Sequence, residues 1–316
     1  MTSLAPIMQS FFTDKLITQR QASPNTVSSY RDTCRLLLQY MVNTTGKPAS
    51  SLNIADLDAE HITGFLAYLE HDRGNSARSR NARLAAIHSL FNYAALRCPD
   101  DAGTIQRVLA IPPARTIKNI VTWLDDQEVA ALLAACDSSR WAGRRDHAMF
   151  TLAIQTGLRV GELTSLTNKD LNLGAGANVY CLGKGRKQRR TPLTPHTVAV
   201  LRVWAKQHSD NLDAPLFPTT TGHALSRDAI EQRLKLAALK AAQQCPSLAD
   251  KKVTAHTMRH TAAMRLLHAG VDITVIALWL GHEQITTTNI YIHADMTQKE
   301  QAIANTNPLG PTPTDH

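Results

Sequence analysis

Apolar residues return every three or four positions along most of this chain, and polar caps interrupt them where helices would begin and end. Leu4–Leu16 is a short amphipathic start. Ser23-Pro24-Asn25-Thr26 opens a helix carrying Val27, Tyr30, Cys34, Leu37 and Met41 on one face. Asp58 caps a third through Ile62, Phe65, Leu66 and Leu69, and Ser76 begins a fourth with Leu84, Ile87, Phe91 and Ala94 inward. The periodicity then breaks between Cys98 and Val121. There Ile111-Pro112-Pro113-Ala114-Arg115 reads as an extended linker, because proline fixes φ and blocks a helix.

A second set of elements follows. Asp125 caps a helix through Val129, Leu132 and Leu133, and Trp141–Gln155 is a long apolar helix that Gly157 terminates. Asn178–Leu182 and Arg189–Leu193 read as two strands around Gly183-Lys184-Gly185-Arg186-Lys187. Three short helical runs occupy Thr254 to His293. Thr254 caps the first and Gly270 closes it; Asp272 caps the second and Gly281 closes it; Thr286 or Thr287 opens the third. The expected architecture is mainly α, with an N-terminal helical bundle and a mostly helical second domain holding a small antiparallel sheet. The boundaries fall at 1–110, a linker at 111–121, a domain at 122–297, and a last short helix and tail at 298–316, where Gln298–Ala304 precedes three prolines.

Composition narrows the class. A length of 316 residues suits two domains, and a net charge of +8 favours a polyanionic partner. The second part carries more of it: residues 1–113 hold 11 Lys and Arg against 9 Asp and Glu, the remainder 23 against 17. Five cysteines without C-x-x-C pairs argue against a disulfide framework or a zinc ribbon. The chain lacks an 18-residue apolar run and a signal peptide, so a cytoplasmic protein without membrane contact is expected.

The polar residues left over from the helices carry the chemistry. His256 and Arg259, three apart, share a helix face near an N-terminus that favours an anion. His282 lies just past a helix end and Tyr291 nine residues on. Together an Arg for non-bridging oxygens, histidines for hydrogen bonds or protons, and a Tyr nucleophile suit a phosphodiester. Several decoys fail. Gly183-Lys184 is no P-loop, since the earlier glycine and the following Ser or Thr are missing, so no nucleotide is expected. His256 and His260 have zinc spacing but neither the intervening Glu nor a third ligand, and no carboxylate set for a two-metal site is evident, so neither metal nor other cofactor is expected. His260, His268 and His293 read as structural. Five of the eight residues from 183 to 190 are basic, which suits a loop gripping a nucleic-acid backbone through Arg186 and Lys187. Arg78, Arg80 and Arg83 cluster at the start of the fourth helix, where they would contact phosphates.

This spacing resembles the tyrosine recombinase (phage integrase) family, whose signature is H-x-x-R, then G-H, then Y: here His256-Thr-Met-Arg259, Gly281-His282 and Tyr291. The family's T-G-L-R-x-x-E-L segment matches Thr156-Gly-Leu-Arg159-Val-Gly-Glu162-Leu163, and its β-hairpin lysine matches Lys184. The runs opened by Ser23-Pro24 and by Arg78 look like the family's SAM-like core-binding domain. The resemblance covers roughly residues 8 to 300. Ala255, where proline is frequent, and Glu283, where a small residue is common, depart from the pattern.

The resemblance implies a DNA breaking-rejoining fold and a site-specific recombinase acting in DNA integration or excision. Tyr291 would form a 3′-phosphotyrosyl bond and release a 5′-hydroxyl. Arg159 and Arg259 would stabilise the phosphorane, Lys184 would protonate the leaving oxygen, His256 would share proton transfer, and His282 would hydrogen-bond the phosphate. Glu162, one turn beyond Arg159, would orient it. The partner implied is a double-stranded DNA recombination site bound by a homotetramer, with Gln298–Ala304 docking on a neighbouring protomer. The alternatives are a monomeric type IB topoisomerase and a catalytically silent DNA-binding accessory protein on the same scaffold.

Overall fold

The expected caps operate in the computed structural model, which describes residues 2–116, 121–183, 188–207, 211–282, 287–288 and 290–291. Residues 1–118 and 119–316 form two separate units.

In the first unit, α1 (Leu4–Ser10) runs straight into a π-helical turn set at Phe11–Gln19. Then come α2 (Pro24–Thr45), α3 (Ala59–His71), α4 (Ala77–Ala95) and α5 (Ala102–Leu109). Ser23 accepts from the Thr26 amide, Asp58 from His61 and Ser76 from Ser79, each satisfying a donor that the first helical turn leaves without a partner. One core gathers Leu37, Met41, Phe65, Leu66, Ile87 and Phe91. Burying each such side chain contributes about 1.5–3 kcal/mol.

Helix α5 corrects the expected break after Cys98. Pro99 starts a 3-10 turn at Pro99–Asp101, where its missing N–H costs nothing, and the chain then coils so that Ile105 and Val108 join the core. The first half of the expected linker is also tied down. Asn81 of α4 donates to the Ala114 carbonyl at 2.8 Å and accepts from the Ala114 amide at 2.8 Å.

The second unit begins with α6 (Asp126–Ala134), capped by Asp125, then α7 (Trp141–Thr156) and the short α8 (Val160–Ser165). An antiparallel sheet follows, in the order β1 (Leu171–Asn172), β2 (Asn178–Leu182), β3 (Gln188–Pro192), with Val179 opposite Thr191 and Cys181 opposite Arg189. The stretch that the periodicity reading leaves unassigned holds α9 (Pro195–Ala205) and α10 (Arg227–Ala241). Last come α11 (Ala255–His268), capped by Thr254, and α12 (Ile273–Leu280), capped by Asp272. Helices α7 and α11 pack side by side, with Met149, Phe150, Ala153 and Met258 buried among the core residues. Among the described residues no helix is long and apolar enough to cross a membrane.

Candidate active site

Two helix ends meet over the first turns of α11. Gly157 closes α7 with φ +65°, and Gly281 closes α12 with φ +65°. Such ends leave carbonyls without intrahelical partners and carry the negative pole of the helix dipole. Two guanidinium groups take them up. Arg259, 2% exposed, donates Nη1–H to the Gly157 carbonyl at 2.6 Å and Nη2–H to the Leu280 carbonyl at 2.7 Å. Arg159, at the mouth of α8, donates Nη2–H to the Gly281 carbonyl at 3.0 Å. Two cations are thus held together, and their remaining donors can clamp one anion. Burial, then the charge of Arg159, pushes Arg259 down to about 10, which leaves it cationic at neutral pH.

Glu162 holds this pair in place. Its buried carboxylate accepts from the Arg159 amide at 2.8 Å and from Arg159 Nη1 at 2.9 Å. It also accepts from Arg189 on β3 at two points, 3.0 and 2.8 Å. Burial alone would raise its pKa, but the hydrogen bonds and charge of Arg189, then those of Arg159, prevail and keep it below the usual carboxylate range. Arg189 also explains Gly281, because a Cβ there would stand 2.8 Å from Arg189 Nη1.

Tyr291 is 1% exposed and belongs to the small core of Met264, Leu267, Ile276 and Leu280. Its phenol oxygen lies 3.0 Å from His260 Nδ1. Burial pushes Tyr291 up to about 12, against the pull of Arg259 and Arg159. His282, just past α12, stacks nearly parallel to the Tyr291 ring, centroids 6.5 Å apart, and pairs Nδ1 with the Thr288 hydroxyl at 2.7 Å. Burial, then Arg259, Arg159 and Arg189, pushes His282 down to about 4, so its ring is neutral at pH 7. His256 is exposed on the first turn of α11, with its ring centroid 4.2 Å from that of His260.

The structure therefore brings Arg159, Glu162, His256, Arg259, His282 and Tyr291 into one neighbourhood. Lys184, Arg186, Lys187, Glu283, Thr286, His293 and the segment 298–304 lie outside the described residues. In the first unit, Arg78 is exposed and Arg83 half-buried. Arg80 turns inward: its side chain is 11% exposed, Nη1 donates to the Pro112 carbonyl at 3.3 Å, and Nε lies 3.9 Å from Glu70. Among the described residues no group of three or more His, Cys, Asp or Glu could hold a metal ion.

Two residues of the site were missed. His260, which the sequence reads as structural, contacts the Tyr291 hydroxyl. The pair at 256 and 260 carries a signal, two histidines one helical turn apart beside an arginine, but the sequence weighs it only as a zinc spacing. Arg189 reads there as one more base in a cationic hairpin. Strand alternation was the available signal, since it puts Arg189 on the face of buried Thr191 and Arg190 on the other.

Known proteins resemble this chain over most of its length. The model of the "Phage integrase family" matches residues 122–298, and that of the "Phage integrase, N-terminal SAM-like domain" matches 10–97. A chain of Sinorhizobium fredii (strain NBRC 101917 / NGR234) whose name, y4rC, assigns it to the integrases and recombinases is 51% identical over 97% of this chain and 92% of its own. The tyrosine recombinase XerC of Xanthomonas axonopodis pv. citri (strain 306) is 31% identical over 90% of this chain and 91% of its own. Among solved structures, the Tn1549 transposon integrase in complex with transposon right end DNA superposes with a TM-score of 0.72 at 17% identity, over 96% of this chain and 98% of that one. The XerH site-specific recombinase bound to its difH substrate gives 0.67 at 22% identity, over 90% and 81%. The two structural likenesses concern the fold.

Proposed function

The chain belongs to the phage integrase family, and from that membership we propose how its residues divide the work of a tyrosine recombinase. The protein is an enzyme, a DNA strand transferase that cuts and rejoins DNA at specific sites. Its fold is the mainly α, two-unit fold of these recombinases. A DNA recombination site is its partner.

Tyr291 attacks a phosphodiester, forms the 3′-phosphotyrosyl bond and releases a 5′-hydroxyl. Arg159 and Arg259 bind the non-bridging oxygens and stabilise the charge of the phosphorane. Glu162 orients Arg159. Lys184 protonates the leaving 5′ oxygen, His256 shares proton transfer at the phosphate, and His282 hydrogen-bonds it. The phosphodiester's energy is kept in the covalent link, so no nucleotide is consumed. Arg78, Arg83, Arg186 and Lys187 serve DNA binding, whereas Arg80, turned inward to Glu70 and the Pro112 carbonyl, is set aside from that role. The working assembly is a homotetramer joined through residues 298–304. One observation carries this reading: two guanidiniums, tied to helix-end carbonyls, converge beside a buried tyrosine.

The test is covalent capture on nicked duplexes made from the DNA flanking the gene. A protein–DNA adduct and a free 5′-hydroxyl should form, and Tyr291→Phe should abolish both while still binding DNA. An adduct in that variant would move the nucleophile elsewhere. Deleting residues 297–316 should spare binding to a single site and impair recombination; full recombination by the shortened chain would end the docking proposal.

A further inference from the structure

Tyr291 stands with its phenol oxygen 3.0 Å from Nδ1 of His260, a histidine to which the reading above gives no part. The tyrosine is 1% exposed, so bulk water does not reach the hydroxyl to carry off its proton. Among the described residues, His260 is the titratable group hydrogen-bonded to that hydroxyl. The two rings meet edge to face, with centroids 5.5 Å apart and an angle of 68° between planes. A nucleophilic tyrosine needs an acceptor for its proton, and one stands at hydrogen-bond distance.

We infer that His260, carrying its own proton on Nε2, is a catalytic residue of the same reaction: Nδ1 takes the Tyr291 proton as the oxygen bonds to phosphorus, and returns it when the strand is rejoined. This rests on Tyr291 being the nucleophile.

The step balances. The Tyr291 Oη–H bond breaks and Nδ1–H forms; the Oη–P bond forms and P–O5′ breaks, with the leaving oxygen protonated by the general acid. In rejoining, a 5′-hydroxyl attacks the phosphotyrosine and gives its proton to that acid. The tyrosine oxygen then leaves with the proton stored on Nδ1. Nothing is consumed over the cycle.

The surroundings determine when the transfer happens. His260 is faced by His256 and Arg259 from α11 and by His282 from beyond α12, while Arg259 and Arg159 face Tyr291. Burial, then these neighbours, pushes His260 down to about 4, and burial pushes Tyr291 up to about 12. At neutral pH the resting pair is therefore uncharged on both sides, and so weak a base does not ionise a resting phenol. Transfer becomes favourable as the oxygen gives its electrons to phosphorus and its proton turns strongly acidic. A phosphodiester anion between Arg159 and Arg259 also offsets the positive field that depresses His260. The nucleophile stays inert until a phosphate is in place.

The test measures adduct formation by the full chain under single-turnover conditions, on a nicked duplex carrying the mapped cleavage site. His260→Asn keeps a small polar group near Nδ1 but cannot hold a proton there. It should slow cleavage by about 10²–10⁴-fold at neutral pH, the range of general base catalysis, with DNA binding and melting temperature unchanged. Its rate should rise with pH, as a growing fraction of Tyr291 is already ionised before attack. Placing 3-fluorotyrosine, a more acidic phenol, at position 291 should accelerate the His260→Asn protein more than the parent. A purely structural role would not yield that selective rescue. A His260→Asn rate within about threefold of the parent across the neutral range, or equal acceleration of both proteins by fluorine, overturns the inference. Tyr291→Phe separates the two readings. An adduct that persists in it removes the nucleophile assignment and this inference together. An adduct lost in Tyr291→Phe but unimpaired in His260→Asn removes the inference alone.

Discussion

Glu162 and Arg189 meet through two hydrogen bonds, Nη1 to Oε1 at 3.0 Å and Nη2 to Oε2 at 2.8 Å, although 27 residues separate them in the chain. The same carboxylate holds Arg159 at 2.9 Å. One side chain of α8 therefore fixes both Arg159 and the strand β3.

Glu162→Gln keeps the shape and removes the charge that two guanidiniums share. Breaking a buried ion pair from one side costs about 3–5 kcal/mol, which urea denaturation would measure. Cleavage should fall as well, because Arg159 loses its orientation. The sign with pH follows from the depressed pKa of Glu162. Its contribution is complete above the ordinary Glu value of about 4.3 and is lost as pH falls through the lower folded value. The stability gap between parent and Glu162→Gln should thus hold from neutral pH to about 5 and shrink below about 4. A gap that instead narrows on the alkaline side would contradict this account. Buried Glu128, also depressed, through Lys251, titrates alike in both proteins and cancels.

Gly157→Ala should destabilise the second unit by more than the about 1–2 kcal/mol that a left-handed backbone costs a residue with a Cβ. The added carbon would collide with Leu280 and stand 3.2 Å from the Ala262 Cβ. Since the Gly157 carbonyl receives Arg259, cleavage should drop together with the melting temperature. Calorimetry showing an unchanged melting temperature would refute the packing argument.

The three arginines of α4 should separate in a salt titration of DNA binding. Arg78→Ala and Arg83→Ala should each reduce the slope of log K against log salt by about one unit, the loss of one phosphate contact. Arg80→Ala should leave the slope alone and lower the stability of the first unit, since Arg80 is spent on Glu70 and the Pro112 carbonyl. Equal slopes for all three variants would remove the distinction.

Lys184 as general acid is separable from Arg159 by changing one atom of the DNA. Lys184→Ala should slow cleavage of ordinary DNA by about 10²–10⁴-fold. On DNA with a bridging 5′ sulfur it should approach the parent, because a thiol of pKa about 8.5 leaves without a proton. Arg159→Ala should stay slow on both, as its task is the non-bridging oxygens. If sulfur fails to rescue Lys184→Ala, the lysine only positions DNA.

Local features were legible from the residues because their causes are local. Ser23, Asp58, Ser76, Asp125, Thr254 and Asp272 each cap the helix assigned to them, since a cap needs only an oxygen within three residues of a free amide. Gly157 and Gly281 end helices for the same kind of reason, a positive φ that glycine takes without strain. Arg159, His256, Arg259, His282 and Tyr291, grouped by their spacing along the chain, lie in one neighbourhood of the fold. Helix α5 escaped because Pro99 and the acidic pair after it look like a break until Ile105 and Val108 find a core to enter.

What the chain alone determined is thus most of the elements, helices bounded by their own caps, with a tyrosine, two arginines and two histidines spaced along them. Which charges face water, and which face each other, only the folded structure decided. Arg80 and Arg78 are two residues apart, yet one is bound inward and the other exposed. Arg189 looks like its basic neighbours until Glu162 arrives across 27 residues. His260 resembles any helical histidine until Tyr291, 31 residues on, places its hydroxyl against Nδ1. Burial and partnership are properties of the surfaces brought together, and those surfaces come from distant parts of the chain.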